Sequence, residues 1–314
     1  MPSRALETGG HVISVCGRNV KIQGRFIRIA RVDGDRHRFL DDPEPVLKAL
    51  KGCGTRIDIF TFMQRLTEPE PKYSYPMEWD NLAVLPVSTF DHWFKKQIRF
   101  APRGRVRQAE KKGVKVQEVP FDDALVKGIW EIYNESPVRQ GRRFPHYGKD
   151  LQTVHKAEAT HLDSSIFIGA YFEERLIGFA KLVHDETQTQ ANLMNILSLM
   201  QYRDKCPTNA LLAQSVRCCA ARGIPFLVYQ RFLYGKEKSS SLSNFKEVNG
   251  FGRVDVPRYH VPLTPLGRLA LRLGFHKRLV DLCPEPVLTK LRDLRRAWYN
   301  HRVRLGEVGP TEVA

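Results

Sequence analysis

Residues Ser165 to Val183 read SIFIGAYFEERLIGFAKLV. Two apolar runs, Ser165 to Phe172 and Leu176 to Val183, flank the charged triplet Glu173-Glu174-Arg175. Their β-branched and aromatic content predicts two strands joined by a tight turn. A third uncharged run, Gln190 to Tyr202, reads as another strand. Pro207 then opens a helix with Leu212, Val216, Cys219 and Ala220 on one face, and Gly223 closes it in the C-cap position. Phe226 to Gln230 follows as a short, largely apolar strand.

Working outward, the same order extends on both sides. Arg105 to Lys112 is a basic helix ended by Gly113, and Val114 to Val119 is a strand. Asp122 and Asp123 cap a helix whose Leu125, Ile129, Ile132 and Tyr133 share one face. A basic loop follows, then a helix to about His161. Beyond the short strand come a helix from Ser240 to Asn249, a strand from Gly252 to Leu263 and a helical C-terminus. Three meander strands followed by a helical crossover to a buried strand imply an α/β (α+β) fold: a mixed sheet with helices on its faces.

Residues 1–100 read differently, as a β-rich subdomain with two short helices. Strands are expected at Arg25 to Val32 and Arg56 to Met63, and a short helix at Pro43 to Leu50. Glu68 to Pro76 is a proline-broken loop, followed by a polar-aromatic knot at Glu78, Trp79, Asp80 and Asn81. The expected organisation is therefore three parts: 1–100, 101–263 and a basic helical extension over 264–314.

Composition narrows the function classes. The 314 residues carry 50 Lys plus Arg against 34 acids, a net charge of +16. Such a balance favours phosphate-rich or otherwise anionic partners. The six cysteines have no CxxC spacing, and no Cys/His cluster has zinc-ligand spacing, so no metal is expected. His155 and His161 lie six apart and do not share a metal face. There is no nucleophile elbow, P-loop or dinucleotide fingerprint. The N-terminus lacks the apolar core of a signal peptide, and no apolar run is long enough to span a membrane. A cytoplasmic protein is expected, with contact at the inner membrane face as a further option.

Three motifs carry a resemblance. RVRQAEKKGVKV (Arg105 to Val116) is similar to the basic helix with which the Fem aminoacyl-transferase family enters its catalytic half. CPTNALLAQSVRCCAARGI (Cys206 to Ile224) resembles that family's helix after the central strands, and NFKEVNGFG (Asn244 to Gly252) its Phe-Lys followed by Gly-Phe-Gly. The Fem family is related to the GNAT acyltransferases, whose strand and helix order matches the one read above. The resemblance covers roughly residues 100–263 and implies acyl or aminoacyl transfer. It also implies that residues 1–100 complete an acceptor cleft or form a degenerate second copy of the fold.

One departure bears on the acyl donor. A GNAT enzyme using acetyl-CoA grips the pyrophosphate with a glycine-rich turn at a helix N-terminus. The matching residues here are Arg203-Asp204-Lys205-Cys206-Pro207-Thr208, with an acid in place of a glycine and a proline that lacks an amide donor. Fem-type enzymes also lack that turn and take an amino acid from aminoacyl-tRNA. No cofactor is expected to be bound, and the donor is either aminoacyl-tRNA or acyl-CoA.

The resemblance also points to residues. Lys246 stands where simple GNAT enzymes place a tyrosine that protonates the leaving group, four before the Gly-Phe pair. It would stabilise an oxyanion or donate a proton; the alternative is a solvated helix lysine beside Glu247. The basic loop SPVRQGRRFPHYGKD (Ser136 to Asp150) borders the acceptor site in GNAT folds. Its Arg139, Arg142, Arg143 and Lys149 would bind an anionic acceptor, with His146 and Tyr147 orienting the acceptor hydroxyl or amine and either one acting as base. The plain alternative is a solvated basic loop. Tyr229, Gln230 and Tyr234 end or follow the buried strand, where polar groups line a cleft, and Tyr234 joins Lys246 and His146 as a candidate catalytic group.

From Thr264 to Arg304 the chain holds ten basic and three acidic residues. Leu266, Leu269, Ala270 and Leu273 form one apolar stripe, and Leu288, Leu291, Leu294 and Trp298 another. Such helices lie on anionic membrane or RNA, or pack their stripe on the parent domain. Two functions are thus in play. One is transfer of an acyl or aminoacyl group to a hydroxyl or amine on an anionic acceptor, lipid- or nucleotide-linked, with tRNA as a partner. The other is a non-catalytic GNAT-like protein that binds RNA or an anionic membrane.

Overall fold

The computed structural model describes residues 11–139, 142–233 and 240–277, together with Lys290, Leu294 and Ala297. The chain runs β1 (His11–Val15), β2 (Arg18–Gln23), β3 (Ile29–Val32), α1 (Glu44–Gly52), β4 (Ile59–Met63) and β5 (Met77–Pro86). It continues with α2 (Phe90–His92), which passes into a π turn at Trp93–Gln97, then α3 (Phe100–Lys111), β6 (Lys115–Val119) and α4 (Asp123–Tyr133). Next come a small hairpin of β7 (Val138–Arg139) and β8 (Arg142–Arg143), α5 (Leu151–Glu158), β9 (Ser165–Phe172), β10 (Arg175–His184) and β11 (Gln190–Ser198). The last described elements are α6 (Pro207–Ala221), β12 (Phe226–Arg231), α7 (Ser241–Val248), β13 (Gly252–Pro262) and α8 (Pro265–Arg272).

These elements gather into two units that are discontinuous in sequence. Among the described residues, the first takes 11–83, 231–233 and 253–277, and the second takes 84–139, 142–230 and 240–252. The division therefore differs from a simple split at residues 100 and 263. The final strand β13 lies almost wholly in the first unit, where it pairs antiparallel with β4 from Arg258↔Met63 to Pro262↔Ile59.

In the first unit the strand order is β1-β2-β3-β4-β13-β5. β1 and β2 form a hairpin whose turn residues Cys16 and Gly17 both have positive φ, 49° and 71°, the backbone that matches strand twist. β3 and β4 are parallel and so need a crossover, which α1 supplies. The helix buries Val46, Leu47 and Leu50 in a cluster that includes Val20, Ile22, Phe60 and Phe62. At ~1.5–3 kcal/mol per buried side chain, those three contribute about 5–9 kcal/mol before chain entropy is counted.

Two expected strands are shorter than their apolar pattern. Only Ile29–Val32 of the Arg25–Val32 run is extended, because the chain turns at Gly24 (φ 103°), where a Cβ would lie 2.0 Å from the Ile27 carbonyl oxygen. The Arg56–Met63 run starts at Ile59, since the buried Asp58 side chain ties down Arg56, the Arg28 amide and the Thr264 hydroxyl. Conversely, the expected knot at Glu78–Asn81 is part of strand β5.

In the second unit the order is β12-β11-β10-β9-β6. β9, β10 and β11 form the expected meander, antiparallel throughout, and β11 to β12 is the parallel step crossed by α6. The α6 face expected from periodicity is buried at Leu212, Val216 and Cys219. Asp122 caps α4 through the Leu125 amide at 2.8 Å. Gly128 lets that helix approach β10: a Cβ there would meet Leu176 at 2.5 Å. The helices α4 and α6 lie against β10. This is the mixed sheet with flanking helices that the element order predicts.

Candidate functional site

The parallel pair β11 and β12 is bonded only over Gln190–Asn192 against Phe226–Val228. Both strands continue beyond that point, β11 to Ser198 and β12 to Arg231, so they part. Gln230 takes a left-handed backbone (φ 51°) and reaches back with its side-chain amide to the Met194 carbonyl at 3.3 Å. A crevice beyond the carboxyl ends of parallel strands is where α/β sheets commonly bind ligands.

Lys246 belongs to this region. It lies on α7, whose start is fixed by a reciprocal cap between Ser240 and Ser243. The end is fixed by Gly250 (φ 91°), where a Cβ would press on Gln97 and Leu85 at 3.2–3.3 Å. The Trp93 indole donates to the Asn249 carbonyl at 2.9 Å, and Arg99 pairs with Glu247. Held this way, Lys246 is 0% exposed, which rules out the solvated helix lysine. Its ammonium sits 4.7 Å from the centroid of the Tyr229 ring, and Phe251 packs on the same ring at 6.0 Å. A cation over an aromatic face in a dry setting is held by ~2 kcal/mol. The structure thus brings together Lys246, Tyr229 and Phe251 beside the parted strands. Tyr234, the third expected catalytic group, lies outside the described residues.

The basic loop is ordered by its own bonds. Arg139 donates to the Ser198 carbonyl (2.9 Å) and the Ile132 carbonyl (2.6 Å), pairs with Glu135 (3.0 Å) and stacks on Phe144 at 4.8 Å. It is a clasp between α4 and the end of β11, and its fork is engaged by protein groups. His146 stacks on Tyr133 with centroids 4.3 Å apart, and burial together with the nearby Lys149 lowers its pKa to about 4. Among its contacts here are the stack on Tyr133 and a second aromatic neighbour in Phe144, with ring centroids 5.3 Å apart. The Lys149 carbonyl is anchored by the Trp130 indole at 3.0 Å, Tyr147 is half-buried, and Arg142 and Arg143 are exposed on β8. The loop and the Tyr229 cluster both border β11: Arg139 grips Ser198 and Gln230 grips Met194, about 13 Å apart along an extended strand.

Glu135 adds a feature that sequence reading missed. Its carboxylate accepts from the amides of Met200 (2.7 Å) and Gln201 (3.1 Å), at the start of the turn leading to α6. Further along, Asp204 is bonded by Lys112 at 3.1 Å, and Gln108 donates to its carbonyl. Two amides just before the Arg203–Thr208 turn are thus held by Glu135, and the Asp204 carboxylate within it is paired with Lys112. Also missed was a buried polar cluster: Tyr133 donates to Glu158 (2.8 Å), Asn195 donates to both Glu158 oxygens (3.1 Å each), and the Lys181 ammonium bonds the Glu158 and Thr160 carbonyls (2.6 and 2.8 Å). Burial pushes the Tyr133 hydroxyl far above the ordinary tyrosine range, with Glu158 adding to the shift, and burial lowers the Lys181 pKa against the pull of Glu158. A lone Lys in an apolar strand is the only sequence signal that points there.

No family model matches the sequence, and no curated protein matches it. Solved structures do. FemX aligns with a TM-score of 0.53 at 13% identity, covering 85% of this chain and 88% of that one. L-PGS from Bacillus licheniformis aligns at 0.53 and 12% identity, covering 86% of this chain and 94% of that one. The C-terminal domain of a putative lysylphosphatidylglycerol synthetase from Agrobacterium fabrum aligns at 0.52 and 14%, covering 84% and 87%. The chain shares the fold of these proteins. That agrees with the Fem resemblance read from the three motifs, and at these identities it is an agreement of fold.

Proposed function

We propose that the protein transfers an acyl or aminoacyl group to a hydroxyl or amine of an anionic acceptor, within the crevice where β11 and β12 part. The observation that carries this reading is the buried Lys246 ammonium over Tyr229 beside those strands. As the acceptor attacks the donor carbonyl, negative charge develops on its oxygen, and a desolvated ammonium is a strong partner for it. Collapse of that intermediate breaks the bond to the donor's leaving oxygen or sulfur, which takes up the proton that the attacking hydroxyl or amine gives up.

The donor we favour is aminoacyl-tRNA over acyl-CoA. Glu135 already holds the Met200 and Gln201 amides, and Asp204 would repel a pyrophosphate. The +16 charge suits a polyphosphate chain. FemX and L-PGS support the same direction through their fold. For the acceptor, an anionic lipid is favoured by α8: Leu266, Leu269, Leu273 and Phe275 are 41–59% exposed, with Arg268 and Arg272 beside them. Among these stripe residues only Ala270, with Gly267, turns inward. A basic helix with an uncovered apolar face suits the surface of an anionic membrane. Among the described residues no helix is long and apolar enough to cross one.

The test is a transfer assay with labelled aminoacyl-tRNA or acetyl-CoA as donor, and anionic or neutral vesicles as acceptor. Label moving from tRNA into anionic lipid is the expected result, with binding that weakens steeply as salt rises. Micromolar acetyl-CoA binding would overturn the donor assignment. Binding of tRNA and vesicles without transfer would favour the non-catalytic alternative.

A further inference from the structure

The first unit contains a cluster of titratable side chains that the reading above does not use. Glu78 on β5, His260 on β13 and His276 just after α8 offer ligand atoms that all lie within 4.8 Å of one another. The two imidazole centroids are 4.9 Å apart. His276 Nε2 meets Glu78 Oε1 at 3.0 Å, and the His276 side chain is 7% exposed. Both ring nitrogens of His260 and the Nδ1 of His276 are buried with no hydrogen-bond partner. Three unpartnered polar atoms in one place cost about 1–3 kcal/mol each unless something satisfies them.

We propose that Glu78, His260 and His276 form a binding site for one divalent transition-metal ion, with Zn2+ the best fit. Two imidazoles and a carboxylate are a common zinc set, leaving one position for water. Soft thiolates are absent and oxygen ligands are too few for Mg2+ or Ca2+. The imidazole of His260 is available to ligate, since no hydrogen bond engages either of its buried ring nitrogens. Burial pushes the Glu78 carboxyl up, but bonds from His276 and Lys277 outweigh it and keep the group ionised. The ligands come from segments far apart in sequence, which is why spacing rules could not show them.

Lys277 makes the proposal specific. Its ammonium lies 3.0 Å from Glu78 Oε1, the same oxygen that meets His276. It occupies the position of a counter-cation and must withdraw when a metal ion takes that oxygen. At 42% exposure it can swing into water. Removing it should therefore tighten metal binding, which no merely structural histidine pair would do.

The experiment is titration of Zn2+ alone into the full, tag-free chain, by calorimetry and by thermal unfolding. The expected result is saturable binding of one Zn2+ per chain, and a rise in the unfolding temperature of several degrees. His260→Ala and His276→Ala should weaken binding at least tenfold, while Lys277→Gln should tighten it several-fold. Lys277 is exposed, so that variant is expected to fold even if a histidine variant does not. Absence of saturable binding by the wild-type chain, binding indifferent to His260→Ala in a folded variant, or weaker binding by Lys277→Gln would each overturn the proposal.

Discussion

Replacing Arg139 by Met tests whether its guanidinium holds the fold or awaits a ligand. The side chain is 11% exposed and its partner Glu135 15%. It makes three charge-assisted bonds, to Ser198, Ile132 and Glu135, and stacks on Phe144. Removing one member of a buried ion pair costs ~3–5 kcal/mol. Here Glu135 keeps the Met200 and Gln201 amides, and Met retains part of the stacking, so the lower end applies: about 3 kcal/mol. Urea unfolding followed by circular dichroism should show the midpoint falling by roughly 1.5 M, for a slope near 2 kcal/mol/M. Arg139→Lys keeps the charge without the fork and should lose about half as much. Adding Glu135→Gln to Arg139→Met should reveal a coupling of at least ~1.5 kcal/mol. A loss below ~1 kcal/mol with unchanged slope would refute the clasp, returning Arg139 to the acceptor-binding role expected of it.

In the transfer assay, Lys246→Met should lower turnover about 100- to 1000-fold with the fold retained by circular dichroism; unchanged turnover would assign the lysine to packing. If the loop holds the acceptor, Arg142→Glu with Arg143→Glu should raise the Michaelis constant for an anionic acceptor more than it lowers turnover, because both groups are exposed on β8. The β9–β10 turn sets Glu173 and Glu174 at φ 49° and 64°, so Glu173→Asn with Glu174→Gly should raise stability by about 1 kcal/mol in urea unfolding. Since the folded pKa of His146 is depressed from 6.5 to about 4, neutral His146 favours the fold above pH 6.5, and that contribution is lost as pH falls through 6.5 to about 4. His146→Phe should flatten that part of the stability profile; an imidazole titrating near 6.5 by NMR would contradict the burial.

The meander and crossover could be read from sequence because each element signals itself. The Ser165–Val183 runs are apolar and β-branched, and the α6 face repeats with helical period, so local pattern and tertiary burial agree. Strand β5 could not: Met77–Asn81 is studded with Glu, Trp, Asp and Asn, and the buried Asp80 is compensated by Arg258 at 2.9 Å and Arg231 at 2.7 Å, both more than 150 residues away in sequence. Likewise β13 reads as the last strand of the second half, yet its partner β4 lies near the other end of the chain. Lys246 is a candidate through its place before Gly250-Phe251, not through any local property. Glu135 and Glu158 were missed because each looks like an ordinary helix-end acid until the chain folds; their partners come from Met200, Gln201 and Asn195.

The buried lysine of β10 has a consequence for how that strand finds its place. From Leu176 to Val183 every residue is buried, so both faces are apolar and hydrophobic contrast cannot tell one pairing offset from the next. Lys181 breaks the degeneracy. In the native alignment it faces Phe167 on β9 and Asn195 on β11, and its ammonium finds the Glu158 and Thr160 carbonyls beyond the end of α5. Shifting the strand by one residue would turn that charge to the opposite face and away from those acceptors, stranding it in hydrocarbon. A single cation thus acts as an index mark, making one alignment of an otherwise featureless strand far lower in energy than its neighbours.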